Sequence, residues 1–349
     1  MVNFVPLITK FIMQKSIRLV SGLYLKLSLL TVAVGLVLRV VLLFNEQTTS
    51  LAFSFGEWCE VFLLGAVNDF CAATAGFIFL WLFMLSVSRT KYKKPWGYIL
   101  LTLLVAAFCY VAFFNTIFDE YGSVAPRIAL YVLGYWAGSF ALRLFLPGFR
   151  SHWTTVWFAL FIVVYVGAII FNGISEYFFW SEFGVRYNFI AVDYLVYTNE
   201  VVGNIMESYP VVPMTLGIVV VTLLITWYLF RRDLVQAEYL KGWRWKAVVA
   251  PAYIAALFAA IGLLNFNTRF QDSGNVYVNE LQANGLYKFY DAFVKNSLDY
   301  EQFYITRPEA EAEAFVHGVY GSTGDNLHAV SAGGGRKSAA TSCSSPSRA

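Results

Sequence analysis

Charged residues are scarce in this 349-residue chain, in which only 13% of the residues are Asp, Glu, Lys or Arg. Soluble domains carry about 25% charged residues. This deficit, together with 58% hydrophobic residues, argues against an ordinary soluble protein and predicts one that is dissolved in lipid. The formal net charge of +3 is too small to indicate a nucleic-acid partner.

Cysteine and histidine are also few. The four cysteines are scattered and form no CxxC pair, so they predict neither a disulfide framework nor a metal-binding motif. The three histidines, His152, His317 and His328, lie too far apart in the sequence to suggest a zinc cluster. We therefore predict no metal site from these residues.

Apolar runs, by contrast, are abundant. A helix needs about 20 apolar residues to cross the hydrocarbon core of a bilayer. Runs near that length lie at about 27–44, 61–87, 97–114, 128–147, 153–172, 211–230 and 247–265. The sequence therefore predicts an all-α polytopic membrane protein with seven transmembrane helices, in which residues 1–268 form the bundle.

Basic residues alternate between the predicted loops. They cluster in the N-terminal segment and in the loops after spans two, four and six, namely at Lys10, Lys15, Arg18, Lys26, Arg89, Lys91, Lys93, Lys94, Arg143, Arg150, Arg231, Arg232, Lys241, Arg244 and Lys246. The other loops carry mostly Asp and Glu. The positive-inside rule then predicts a cytoplasmic N-terminus and an extracytoplasmic C-terminus. Removing span four alone would break this alternation.

The long loop between spans five and six reads "EYFFWSEFGVRYNFIAVDYLVYTNEVVGNIMESYP". Its polar residues Asp193, Tyr197, Glu200, Asn204 and Glu207 recur at steps of four, three, four and three. This spacing predicts one polar face of an amphipathic helix that lies in the outer membrane interface.

Two interpretations of this helix stay open. The polar face is either a solvated surface with aromatic anchors, or a docking or substrate-approach surface formed by Arg186, Asp193, Glu200 and Glu207. The three carboxylates are seven residues apart, roughly 10 Å along a helix that rises about 1.5 Å per residue. They are therefore not expected to share a metal ion.

Arg39 and Asp69 are charged residues that fall within predicted spans one and two. A charge at the centre of a membrane helix costs about 2.5–3.5 kcal/mol on insertion scales. Arg39 lies near the outer end of its span, so we expect its side chain to snorkel to the surface. Asp69 either marks the outer entry of an overlong span, or faces the bundle, where it holds a lipid headgroup or pairs with Arg39.

The long loop resembles the outer loop of the lipoteichoic acid synthase-like family, the phosphoglycerol transferases of the sulfatase superfamily. A second matching piece, "NVYVNELQANGLYKFYDAFVKNSLDYEQFY", follows the last span, and the resemblance runs from about residue 20 to about residue 310. It implies a multi-pass anchor in the bacterial cytoplasmic (inner) membrane, followed by an extracytoplasmic sulfatase-fold domain. In the family that domain uses a threonine nucleophile and a divalent metal, Mn or Mg. It moves a phosphoglycerol headgroup from a phospholipid to a cell-envelope glycan or polymer. The implied partners are membrane lipids, including anionic phospholipid headgroups.

The resemblance also shapes the expected domain organisation. Residues 269–314 are interpreted as the start of the linker to the catalytic domain, and residues 315–349 as a disordered tail rich in Gly, Ser and Ala. The roughly 45 residues after Tyr304 are far too few for a sulfatase fold. We therefore expect that domain to be absent and this chain to be the catalytically inactive anchor portion, with no catalytic residues and no cofactor of its own.

The tail itself suggests a frameshift. Codons for Lys337 to Ala349, read from their third bases, permit the sequence H-V-L-L-I-S-V-E-S, which resembles the strand that opens the family's catalytic domain. We therefore expect a frameshift upstream of Lys337. The nucleotide sequence tests this directly, since a coding frame that ends after Ala349 with no overlapping sulfatase-like frame would contradict it.

A different function class also stays open, namely a polytopic binding or transport protein that acts through its helix bundle. Transport favours inverted repeats and broken helices with paired polar residues near the midplane. Neither feature is recognisable in the sequence, and a pair of spans that superpose around a polar cavity would favour this alternative.

Overall fold

A computed structural model describes residues 4–46, 48, 53–114, 124–196, 198–269 and 274–295, together with Glu311 and Phe315. The secondary structure within these residues is helical. In chain order the helices are α1 Phe4–Leu43, α2 Phe55–Cys59, α3 Gly65–Gly76, α4 Ile78–Ser86, α5 Trp96–Phe113, α6 Val124–Phe145, α7 Pro147–Phe183, α8 Phe189–Val196, α9 Thr198–Ser208, α10 Val211–Val235, α11 Arg244–Arg269, α12 Val276–Gln282 and α13 Gly285–Lys295. A π turn, Glu60–Leu64, joins α2 to α3, and 3-10 turns lie at Thr90–Tyr92 and Ala237–Lys241.

Seven stretches of the described chain are helical, long and apolar enough to cross a membrane, which confirms the predicted all-α architecture and the number of spans. They are Lys10–Leu43, Phe55–Ser86, Trp96–Phe113, Val124–Phe145, Pro147–Phe183, Val211–Val235 and Arg244–Thr268. The second span is a composite of α2, the π turn, α3 and α4. The fourth, the weakest in the sequence, is a continuous helix.

The chain divides into two units, Met1–Lys295 and Asn296–Ala349. Helices α12 and α13 belong to the first unit, although the sequence interpretation places them in a linker that begins at residue 269. In the second unit the structure describes Glu311 and Phe315, both in helical backbone. The predicted tail, residues 315–349, otherwise lies outside the described residues.

Helices α1, α4, α7, α10 and α11 build the main core. On α1, Leu19, Leu23 and Leu27 are fully or almost fully buried at four-residue steps, the spacing of one helical face. On α7, Phe158 and Ile162 follow the same spacing and are also fully buried. These side chains join a single apolar cluster. The outward faces of the same helices stay apolar and exposed, as expected of a surface solvated by lipid.

Basic side chains gather at one end of the bundle, which we call the basic end. There the Lys15 ammonium donates to the Tyr239 hydroxyl at 3.2 Å. Glu238 accepts a hydrogen bond from the Ser151 hydroxyl at 2.6 Å and lies 3.7 Å from Arg89. Hydrogen bonding from Lys241 lowers the pKa of Glu238 below its usual value. The loops that the sequence analysis groups by charge therefore meet in space, while their cytoplasmic orientation remains a prediction.

Helix α7 is defined by its two ends. Pro147 occupies its first turn, where a missing N–H costs nothing. Gly184 ends it with a φ of 68°, a left-handed conformation that favours glycine. The turn reverses the chain, so that Arg186 returns towards Glu176 on the last part of the helix. This reversal lies at the end of the bundle opposite the basic end, which we call the acidic end.

Candidate functional site

Arg39 and Asp69 form an ion pair inside the bundle near the acidic end. Arg39 is 0% exposed and Asp69 is 2% exposed. The Arg39 Nη1 donates to Asp69 Oδ2, and Nη2 donates to Asp69 Oδ1 at 3.1 Å. The expectation that Arg39 snorkels is therefore wrong. The sequence analysis left open whether Asp69 pairs with Arg39, and the structure contains this pair.

Arg39 also holds the segment that follows the last span. Its Nε donates to the Leu281 carbonyl at 2.9 Å, and its Nη2 donates to the Ala283 carbonyl at 3.3 Å. A further bond joins Nη2 to the Gly65 carbonyl at 3.0 Å, immediately after the π turn. The guanidinium group of α1 thus connects the second span to α12.

Arg186 makes a second buried pair beside the first. It is 2% exposed, and its Nη1 donates to Glu176 Oε1 on α7, which is 1% exposed. Its Nε donates to the Glu280 carbonyl at 3.0 Å, and its backbone N–H donates to Glu280 Oε2 at 3.0 Å. This arginine therefore connects α7 to the same segment that Arg39 holds.

The Leu281 carbonyl accepts from both arginines, from Arg39 Nε at 2.9 Å and from Arg186 Nη2 at 3.3 Å. We call the four side chains Arg39, Asp69, Glu176 and Arg186 the buried charge cluster. Its two positive and two negative charges cancel. A buried ion pair is tolerated when its remaining donors and acceptors are also satisfied, and the carbonyl groups of α12 supply that satisfaction here.

Amide side chains extend the cluster. Asn284 donates to Asp69 Oδ1 at 2.8 Å. Asn68 donates to the Gln282 carbonyl at 3.0 Å and accepts a bond from Asn267 on α11 at 2.8 Å. Helices α3, α11 and α12 are therefore joined by a hydrogen-bonded network, which specifies their relative positions more narrowly than apolar packing alone.

Three glycines leave the space that the cluster occupies. A Cβ added to Gly35 would overlap the Asp69 carboxylate, one added to Gly65 would overlap the Arg39 guanidinium, and one added to Gly285 would overlap the Glu176 carboxylate. Each glycine lies opposite a charged group of another element. Close backbone approach therefore requires glycine at these positions.

Tyr187 closes the cluster towards α13. Its ring packs edge-on against Phe179 of α7, with centroids 5.3 Å apart, and against Phe289 of α13 at 6.1 Å. Burial raises the pKa of the Tyr187 phenol above its ordinary value. Lys288 of α13 pairs with Glu280. The beginning of α13 is thus fixed to both α7 and α12.

Arg186 is buried, unlike the three carboxylates with which the sequence interpretation grouped it. Asp193 lies on α8, whereas Glu200 and Glu207 lie on α9, and all three are exposed. Tyr197, between the two helices, lies outside the described residues. Within the described chain no Lys or Arg nitrogen lies within 4 Å of these three carboxylates.

The buried charge cluster connects helices through groups that already have partners, and it is not an open binding site. Both Asp69 oxygens and both Glu176 oxygens accept hydrogen bonds from protein groups. A search of the described residues for three or more metal-ligating side chains finds no such group. The cluster can therefore position the chain after the last span, and it offers no vacant ligand or nucleophile.

Comparison with protein-family models, with curated proteins and with solved structures gave no match. The family resemblance of the two quoted stretches therefore stays a prediction.

Sequence reasoning identified Arg39, Asp69 and Arg186 but missed Glu176, Glu280 and Asn284. Glu176 was visible as an acidic residue at the end of an apolar run. Two glycines were a stronger indication of close contact between the first two spans. Gly35 lies in the same span as Arg39, and Gly65 lies in the same span as Asp69. No periodicity in the sequence indicates that residues around 280 fold back to residue 39.

Proposed function

We propose that this chain is the membrane part of a lipoteichoic acid synthase-like transferase, which moves a phosphoglycerol-type headgroup from a phospholipid to a cell-envelope glycan or polymer. In this proposal the bundle engages membrane lipids and sets the path of the chain after span seven. The family's sulfatase-fold domain, with its Mn or Mg ion, supplies the chemistry.

One observation carries the proposal. The two stretches whose sequences resemble the family contact each other through the buried charge cluster. Glu176 and Arg186 belong to the first stretch, and Glu280 and Leu281 belong to the second. An anchor that must hold an enzyme at a fixed position over the membrane needs such a rigid exit from its last span, because positioning contributes directly to rate.

An apolar cavity supports a lipid donor. It has a volume of about 420 Å³ and lies between α3 and α7. Small residues, Ala72, Gly76 and Ala168, leave the space, and Leu286 of α13 borders it. In this proposal the cavity accepts an acyl chain of the donor lipid, while the exposed carboxylates of α8 and α9 form the docking surface for the catalytic domain.

The alternative of a transport protein has no comparable support. Transport sites place polar groups around a cavity near the midplane. In the described part of the chain the charges of the buried cluster contact one another, and the cavity is lined almost entirely by apolar side chains.

The test joins this chain to the catalytic domain of a lipoteichoic acid synthase-like protein and places the fusion in membranes with phosphatidylglycerol labelled in its headgroup. The measured quantities are diacylglycerol release and label transfer to the acceptor. The matched control carries the same domain on an unrelated seven-helix anchor. We expect release at least tenfold faster with this chain, because the anchor positions the domain. Equal rates from both anchors would contradict the proposal.

A further inference from the structure

A small pocket at the basic end is lined by five basic side chains from several elements. They are Arg89 and Lys91 before α5, Arg143 at the end of α6, Arg150 at the start of α7, and Lys241 before α11. One carboxylate, Glu238, contacts Arg89 and Lys241. Lys91, Arg143 and Arg150 have no carboxylate oxygen within 4 Å among the described residues. Three positive charges therefore share this pocket without a negative side chain.

Backbone carbonyl groups compensate only part of this charge. Lys91 donates to the Ser86 carbonyl at the end of α4 at 2.6 Å, and Arg150 donates to the Arg143 carbonyl near the end of α6 at 2.8 Å. A helix C-terminus carries about half a negative charge. Lys246 also donates to the Leu85 and Val87 carbonyls at the end of α4. The two helix ends therefore offset at most about one of the three positive charges, which leaves at least two.

The guanidinium groups are fixed in place and keep unused donors. Arg150 stacks over the Tyr92 ring at 4.2 Å, and Arg143 lies over the Trp153 ring at 5.1 Å. Arg143 donates to the Ser139 carbonyl and hydroxyl and lies beside the Tyr92 hydroxyl. A guanidinium group has five N–H donors, and at least two on each arginine have no acceptor among the described residues. Arginines held on aromatic rings with free donors suit the planar recognition of phosphate oxygens.

Lys91 is partly buried in this pocket and lies near the charge of Arg143. Burial, followed by the nearby Arg143 charge, lowers the pKa of Lys91 to about 8. The pocket has a volume of about 40 Å³, enough for about three water-sized atoms at about 10–15 Å³ each. This is room enough for the two non-bridging oxygens of a phosphodiester or the three terminal oxygens of a phosphate monoester.

We propose that this pocket binds a phosphate group, presented by an anionic phospholipid headgroup or by a soluble phosphate. Arg143 and Arg150 donate to its oxygens, and Lys91 balances its charge. The site lies at the opposite end of the bundle from the buried charge cluster, so it does not rest on the function proposed above.

The first test is native mass spectrometry of the purified chain in a neutral detergent, titrated with phosphatidylglycerol or phosphatidylcholine. We expect at least tenfold tighter binding of phosphatidylglycerol. The double variant R143Q/R150Q should lose at least tenfold of that affinity, since each cation near a membrane surface contributes about 1 kcal/mol. The matched control, R231Q/R232Q, removes the same charge from exposed positions at the same end and should change affinity less than twofold.

A competitor distinguishes the two sources of phosphate. If glycerol 3-phosphate displaces phosphatidylglycerol, the pocket also accepts a soluble phosphate, and if it does not, the lipid alone is the ligand. Both results support a phosphate site. An equal loss in both double variants would overturn it, because diffuse surface charge would then explain the binding. Equal affinity of the wild type for the two lipids would overturn it as well.

A measurement on the wild-type chain tests the proposal independently of whether R143Q/R150Q folds. Amine acetylation at pH 8, read by peptide mass spectrometry, should be suppressed at Lys91 by phosphatidylglycerol but not by phosphatidylcholine. The exposed Lys93 and Lys94 serve as internal references. Unchanged acetylation of Lys91, or equal protection of all three lysines, would contradict the proposal.

Discussion

At the scale of single residues, the buried charges of this protein are matched one to one. Arg39 pairs with Asp69 and Arg186 pairs with Glu176, and all four side chains are almost inaccessible. Removing one partner of such a pair leaves an uncompensated charge in an apolar environment, and this typically costs about 3–5 kcal/mol. Removing both partners should cost less than the sum of the two single losses, because neither charge is then left without its partner.

A double-mutant cycle tests this balance for Arg39 and Asp69. We expect D69N to lower the free energy of unfolding by about 3–5 kcal/mol. The double variant R39Q/D69N should be more stable than the sum of the single effects predicts, by about 1–3 kcal/mol. Equilibrium unfolding in mixed micelles gives the four free energies. Asp291 and Lys295 on α13 form an exposed control pair, for which coupling of about 0.3–0.5 kcal/mol is expected. Additive effects of R39Q and D69N would exclude an energetic pair.

At the scale of elements, α12 is the helix on which the site depends. It is only seven residues long, too short to be stable by itself. The Asn275 side chain caps it by accepting from the Tyr277 N–H at 3.1 Å. Val278 and Leu281 are fully buried against α1 and Trp180. Its position is therefore set by tertiary contacts, of which the two arginines provide the polar part.

Hydrogen–deuterium exchange tests the role of Arg186 in holding α12. We expect R186Q to accelerate exchange of the amides of residues 277–284 by at least tenfold, because the variant removes the donors to the Glu280 and Leu281 carbonyls. K295Q, at an exposed position, is the control and should leave the exchange unchanged. If exchange in R186Q matches the wild type, apolar packing of Val278 and Leu281 is sufficient by itself.

The elements also show what the sequence could predict. Hydropathy predicts the spans, because a run of about 20 apolar residues in a bilayer is stable mainly as a membrane-spanning helix. The return of residues 280–284 to Arg39 does not follow, because hydropathy carries no information about contacts between residues some 240 positions apart. The amphipathic segment was predicted as one helix. The structure describes α8 and α9 on either side of Tyr197, which lies outside the described residues, so the single helix stays a prediction.

At the scale of the whole molecule, charge is divided between the two ends of the bundle. The basic end gathers lysines and arginines from four segments around Glu238, while the acidic end contains the charge cluster and the exposed carboxylates of α8 and α9. An odd number of spans places the two termini of the bundle at opposite ends. The positive-inside rule then predicts that the basic end faces the cytoplasm.

Cysteine labelling tests this orientation. In a variant without the four native cysteines, K295C is expected to react with a membrane-impermeant maleimide added outside intact cells or spheroplasts. R89C, at the basic end, should react only after permeabilisation. Both positions are exposed, so differences in labelling report the side of the membrane. Labelling of K295C from the cytosolic side alone would reverse the predicted orientation.

The length of α7 makes the acidic end sensitive to bilayer thickness. Its 37 residues extend about 55 Å at about 1.5 Å per residue, whereas the hydrocarbon layer is about 30 Å thick. Glu176 lies four residues past the apolar stretch 153–172, about 6 Å further along the helix. Lipids with longer tails would surround the buried Glu176–Arg186 pair with hydrocarbon, while shorter tails would place this part of the bundle at the level of the headgroups. Hydrophobic mismatch therefore acts on the hydrogen bonds between Arg186 and α12. The length of the lipid tails can thus change the stability of α12, the helix that follows the last span.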